Sequence, residues 1–151
     1  MPSFSRRNAL RGIAALAAGC ALTVASRPTT AQQAALAIKG YDPVAYFVDG
    51  RPVRGLPEIE YEWDEHRYRF SSAQHRDLFR ADPVRYAPQF ANFCAMSLAK
   101  GELIEADPEN WLINADKLYI FGKREGPDLF RQDLAGNIAK SNQNRSLIRA
   151  H

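Results

Sequence analysis

The chain has 151 residues, 46% of them hydrophobic and 11% aromatic, and a formal net charge of +3. That is enough apolar material for one packed domain and too much for a disordered chain. The positive charge does not imply a nucleic-acid partner. Arg6, Arg7, Arg11 and Arg27 lie in residues 1–31, which hold no acid, and taking those four from the 20 basic residues leaves 16 against 17 acidic ones. A domain so balanced has no electrostatic footprint for nucleic acid.

At the N-terminus, Ser5-Arg6-Arg7-Asn8-Ala9-Leu10-Arg11 precedes an apolar, small-residue run from Gly12 to Ala25. Base followed by a moderately apolar stretch is the order of a bacterial export signal. The paired arginines point to the twin-arginine type. The run of about 14 residues is shorter than the roughly 20 that span a bilayer as a helix. Thr29-Thr30-Ala31 offers a small-residue cleavage site that leaves Gln32 first. A second reading starts from Leu16-Ala17-Ala18-Gly19-Cys20, which resembles a lipoprotein processing site and would tether the protein to a membrane by a lipid on Cys20. Both readings place the domain outside the cytoplasm, in the periplasm or on its membrane. The expected organisation is a signal over 1–31, a linker over 32–37, a domain over 38–145 and a polar tail over 146–151. If Cys20 is removed, Cys94 has no internal disulfide partner. A lone thiol in an oxidising compartment is either buried and inert or present for chemistry.

In the domain, Asp42 is placed to cap a helical turn with Pro43 at its first position and Tyr46 and Phe47 as anchors. Arg51 to Pro57 reads as a loop. Ile59-Glu60-Tyr61-Glu62-Trp63 and Arg67-Tyr68-Arg69-Phe70 alternate with the period of half-buried strands, and Asp64-Glu65-His66 between them predicts a hairpin. Ser71 and Ser72 offer an N-cap for a helix from Ala73 to about Arg80. On it His75, Leu78 and Phe79 share a face, and Asp82-Pro83 stops it. Pro83 to Tyr86 is a further helical turn. Pro88 to Gly101 is the most apolar part of the domain and predicts a central helix with Gly101 as its C′ residue. Asp107-Pro108-Glu109-Asn110 reads as a turn. Trp111-Leu112-Ile113 and Leu118-Tyr119-Ile120-Phe121 predict a second hairpin around Asn114 to Lys117. Asp128 to Leu134 reads as a helix burying Leu129 and Phe130, and Gly136 to Ser141 as a turn or short helix. The expected class is α+β: a small antiparallel sheet of two hairpins packed with three to four short helices.

Several separated stretches occur in the order found in one family. Gly40-Tyr41-Asp42-Pro43-Val44-Ala45-Tyr46-Phe47, Tyr68-Arg69-Phe70-Ser71-Ser72, Phe79-x-x-Asp82-Pro83-x-x-Tyr86 and Tyr86-Ala87-Pro88-Gln89 make the chain resemble the exported YHS-domain proteins of bacteria over roughly residues 38 to 145. The resemblance implies a small module associated with heavy-metal proteins, copper transporters above all, and taken to bind or sense metal. Its usual ligands are cysteines, and the chain departs at each place. Ala45 stands at the first, Ser71 at the second and His75 at the third. Exported members carry a cysteine where Phe93-Cys94-Ala95 lies here, and many have Tyr-Gly-Gly-Tyr where this chain has Phe90-Ala91-Asn92-Phe93.

The residues themselves leave three readings. His75 and Cys94 supply imidazole and thiolate, which suit copper or zinc, with Met96 as a thioether and Tyr46 or Tyr41 as an oxygen donor. Against this, free cysteines commonly behave as small buried hydrophobes, and His75 can be a hydrogen-bonded helix residue. That leaves a metal-free binding or interaction module. A thiol enzyme is the third reading, and it lacks a resolving cysteine. Ser71 and Ser72 sit in no glycine-flanked nucleophile elbow. The expectation is a soft-metal-binding module, copper first and zinc second, acting in metal handling with a periplasmic or membrane protein partner. Its ligands are His75 and Cys94, then Met96 and Tyr46.

Overall fold

Both alternating stretches form hairpins, and both turn in the same way. The computed structural model of the protein describes residues 33–150. Strand β2 (Leu56–Trp63) pairs antiparallel with β3 (His66–Phe70), with Trp63 opposite His66 and Tyr61 opposite Tyr68. The turn is therefore Asp64-Glu65 alone, with φ of 48° and 64°. His66, expected in the turn, is the first residue of β3. In the second hairpin β4 (Asp107–Asn114) meets β5 (Lys117–Phe121), and Asn114 faces Lys117 across Ala115 and Asp116, with φ of 48° and 57°. Positive φ at both central residues is the type I′ form, whose twist matches that of the strands.

Asp107 to Asn110 is part of β4 rather than a turn. The register advances four residues on β4, from Asp107 to Trp111, for one residue on β5. This irregularity accommodates Pro108, which cannot donate to a regular ladder. The described N-terminal residues also differ from expectation. Ala35–Leu36 forms a short strand, β1, parallel to β3, so the first sheet has the order β1-β3-β2 while β4 and β5 form a separate two-stranded sheet. The following tight turn holds Ile38 and Lys39 at φ of 37° and 52°. A β-branched residue is rare there. Asn92, far along the chain, braces it: the Ile38 amide donates to Asn92 Oδ1 at 2.6 Å, and Asn92 Nδ2 donates to the Leu36 carbonyl at 3.2 Å.

The α+β class is what the structure has, with more helices than the three or four expected. The seven α-helices among the described residues are α1 (Ala45–Val48), α2 (Ala73–Ala81), α3 (Pro83–Tyr86), α4 (Ala95–Ala99), α5 (Gly126–Gln132), α6 (Leu134–Gln143) and α7 (Ser146–Arg149). Ser72 caps α2 by accepting from the His75 amide at 3.1 Å, and Asp82 caps α3 by accepting from the Arg85 amide at 3.2 Å. The apolar stretch from Pro88 is helical only over α4, and it ends as expected at Gly101, with φ of 81°. Of the two residues expected to be buried on α5, Phe130 is and Leu129 is 40% exposed. No helix among the described residues is long and apolar enough to cross a membrane. The stretches expected to form the export signal and its cleavage site, and Cys20, lie outside the described residues.

Strand β5 divides the core. Its alternation sends Leu118 and Ile120 into one hydrophobic cluster and Tyr119 and Phe121 into the other. The first cluster gathers on Phe79, whose ring lies 4.7 Å from Tyr68 and 5.3 Å from Phe70. The second holds Phe90, Cys94, Leu98, Leu112 and Phe130. Helix α6 docks beside it through polar groups. Asn137 Nδ2 donates to the Phe130 carbonyl, Ser141 Oγ lies 2.9 Å from the Ala95 carbonyl, and Asn144 Nδ2 donates to the Leu98 carbonyl at 2.9 Å.

Candidate functional site

Asp42 is fully buried, and a buried carboxylate demands partners. The chain supplies them from two places. Pro43 has no amide hydrogen, so the next two amides, of Val44 and Ala45, turn toward Asp42 Oδ1 at 2.9 and 3.4 Å. Asp42 thus caps the turn leading into α1, as the sequence predicts. Its other oxygen, Oδ2, accepts from the Ser71 amide at 2.8 Å, from the Ser71 hydroxyl at 2.7 Å and from His75 Nδ1 at 2.7 Å. The two serines divide the work at the end of β3: Ser71 binds Asp42, and Ser72 caps α2 and so places His75 in the first helical turn.

The chemistry of His75 follows from this. To donate to a carboxylate, Nδ1 must carry the proton, so the neutral ring has its lone pair on Nε2. Nε2 makes no hydrogen bond to a described residue, and the residue keeps 8% of its surface exposed. A carboxylate fixing one ring nitrogen while the other faces outward is the usual support of a metal-ligating histidine. It is equally the support of a hydrogen-bond acceptor or a base. Ser71 Oγ lies 3.3 Å from Nδ1, the nitrogen already bound to Asp42, and its hydroxyl is directed to the same carboxylate. That is not the arrangement of a nucleophile beside its base, which needs the free nitrogen.

The remaining candidates are elsewhere. Cys94 is 5% exposed, precedes α4 and packs in the second cluster with Phe90, Leu98 and Phe121. Met96 packs half-buried against that same cluster. Tyr46 belongs to the first cluster, and its hydroxyl donates to the Pro108 carbonyl at 2.8 Å. Burial pushes its phenol far above the usual value, so it stays protonated. The Tyr41 hydroxyl donates to Glu109 at 2.6 Å, a bond that holds its phenol up as well. The structure therefore groups Tyr46 with the first cluster and Cys94 with Met96 in the second, and places His75 against Asp42. No three His, Cys, Asp or Glu side chains converge on one point among the described residues. Sequence reasoning singled out Asp42 and His75 separately and missed that they meet. They stand 33 positions apart, and nothing local in the sequence signals the contact.

Set against protein-family models, curated proteins and solved structures, the chain finds no match in any of the three.

Proposed function

We propose that the protein is an exported, YHS-type binding module rather than an enzyme, and that it handles a soft metal ion, copper first and zinc second, through His75. The observation that carries this reading is the 2.7 Å contact between Asp42 Oδ2 and His75 Nδ1, which orients the ring and leaves Nε2 as the donor atom. On this reading the chain offers one strong ligand, and the rest of the shell comes from a periplasmic or membrane protein partner. An incomplete shell suits transfer better than storage, because a metal in a closed cage leaves slowly. Tyr46, with its oxygen committed to Pro108, and Met96 are weaker contributors. A second reading, a metal-free binding module in which Cys94 is structural, is favoured by the apolar surroundings of that thiol.

The test is a Cu(I) titration of the reduced protein against a competing chelator, with His75→Gln and Cys94→Ser alongside. Binding lost in His75→Gln and kept in Cys94→Ser supports the single-histidine reading. Loss in both variants restores a shared His75–Cys94 site. A folded wild-type protein that takes no metal overturns the metal reading and leaves the metal-free module.

A further inference from the structure

A cavity of about 530 Å³ opens between the Asp64-Glu65 turn, the segment after α3 and the C-terminal helix α7. The volume is in the range that takes a small organic ligand. Three aromatic residues, Trp63, Tyr68 and Phe90, line it. So do two acids, Asp64 and Glu65, and two arginines, Arg145 and Arg149. None of these four charged groups takes part in a salt bridge among the described residues. Opposite charges that line one space without closing on each other leave both signs available to a ligand. Arg145 is nonetheless anchored: it lies 5.0 Å over the Phe90 ring and donates to Asn142 at 3.1 Å. Arg149 has no partner among the described residues.

Tyr68 is an independent pointer. It is 2% exposed, yet its hydroxyl makes no hydrogen bond to a described residue. It is also not a sealed unpaired group, since Arg67 Nε is the one such side-chain atom among the described residues. Tyr68 is among the residues that line the cavity. Burial, and after it the Asp64 charge, push the phenol far up, so it remains a hydrogen-bond donor. A buried donor with no acceptor among the described residues is a place for a ligand oxygen.

We propose that this cavity binds a small zwitterion with an aromatic body, of the aromatic α-amino acid kind. Its carboxylate meets Arg145, Arg149 and the Tyr68 hydroxyl, its ammonium meets Asp64 and Glu65, and its ring lies between Trp63 and Phe90. A simple anion leaves the two acids unanswered, and a simple cation leaves the arginines so. A free amino acid carries both charges on one carbon, whereas each end of a peptide carries one. The site is separate from the Asp42–His75 pair and does not depend on metal binding.

The experiment is calorimetric titration of the whole protein at low salt with L-phenylalanine, N-acetyl-L-phenylalanine and L-phenylalaninamide. Saturable one-to-one binding of phenylalanine is expected. Each singly charged derivative should bind at least about tenfold more weakly, the worth of one charge-assisted hydrogen bond. Arg149→Gln and Asp64→Asn should each weaken phenylalanine by a similar factor. Asparagine is tolerated at the left-handed turn position, so the second variant keeps the hairpin. Tyr68→Phe should weaken binding while leaving the free protein at least as stable, because the hydroxyl it removes has no partner among the described residues. Equal binding of a singly charged derivative overturns the zwitterion, and no binding by the folded protein up to about 10 mM overturns the site.

Discussion

His75 and Cys94 are buried to nearly the same degree, 8% and 5% exposed, and nothing else about their surroundings agrees. The histidine sits in a polar knot. One carboxylate accepts from two backbone amides of its own turn, a third amide and hydroxyl at Ser71, and the imidazole. The cysteine sits in the cluster of Phe90, Leu98, Phe121 and Phe130, an apolar setting. The cysteine belongs to the second of the two clusters that β5 divides, whereas the histidine belongs to neither and is held by Asp42. Burial alone therefore does not separate a site from a filler. What separates them is whether the neighbours hold the side chain in one orientation by directed bonds. The histidine is held so, and the cysteine is not.

The largest effect that tests this contrast is at Asp42. Asp42→Ala strands several donors in the interior at once and should cost about 3–5 kcal/mol, the usual range for breaking a buried hydrogen-bonded charge. Denaturant unfolding reads it as a lower midpoint at unchanged slope. A loss under about 1 kcal/mol would mean that water reaches the network and that His75 is not rigidly held.

Cys94 should behave in the opposite sense. Cys94→Ser puts a hydroxyl among aromatic rings and should cost about 1–3 kcal/mol, whereas Cys94→Ala loses only part of a small side chain and should cost less. The order serine worse than alanine is the signature of a structural thiol. The reverse order, or rapid alkylation of the native protein, would show a polar or open environment and bring the two regions closer in kind.

Helix α6 blurs the contrast, and Ser141 measures by how much. Its hydroxyl is fully buried, 2.9 Å from the Ala95 carbonyl and 2.8 Å from the Asn137 carbonyl, beside the apolar cluster that contains Cys94. Ser141→Ala should cost about 1 kcal/mol, the net worth of an ordinary hydrogen bond. Thermal or denaturant unfolding of the single variant checks this.

What could be read from the sequence follows from how local each signal is. The two hairpins, the caps at Asp42 and Ser72, and the stop at Gly101 all depend on residues within a few positions of one another. They emerge where periodicity and capping rules place them. Strand β1 and the brace from Asn92 do not, because β1 pairs with a strand about 30 residues on and Asn92 lies more than 50 residues from the turn it braces. Helix α6 was legible only as a turn or short helix over Gly136 to Ser141, and α7 only as tail, for a different reason. The face by which α6 docks mixes Leu134 and Ile138 with the polar Asn137 and Ser141, and Asn144 follows at its C-cap, so hydropathy does not mark it as one long buried face. Asp42 and His75 fall between these cases. Each was conspicuous alone, Asp42 for its proline neighbour and His75 as a ligand type on a helix face, and only the fold joins them.

The smallest expected effect tests whether a carboxylate near the surface can imitate the Asp42 network. Glu60, about a quarter exposed, accepts from Arg69 Nε at 2.8 Å, while Arg67 Nη1 approaches both of its oxygens at 3.3 Å. The hydrogen bond from Arg69 is the main reason its carboxyl is held below the ordinary value, with partial desolvation opposing and the Arg67 charge adding to it. A lowered folded value means that the stabilisation is fully present above the unfolded carboxylate range and is lost as pH falls through the folded value. With the group partly in water the contribution is at most about 1 kcal/mol. The effect should appear below about pH 4.5 as a step in stability that Glu60→Gln removes. Arg69→Gln should flatten that step more than Arg67→Gln, because the closer bond belongs to Arg69. Equal effects of the two arginine variants would assign the shift to the general positive field of β3 instead. A step as large as the Asp42→Ala loss would mean that directed bonding, rather than burial, sets the worth of both carboxylates.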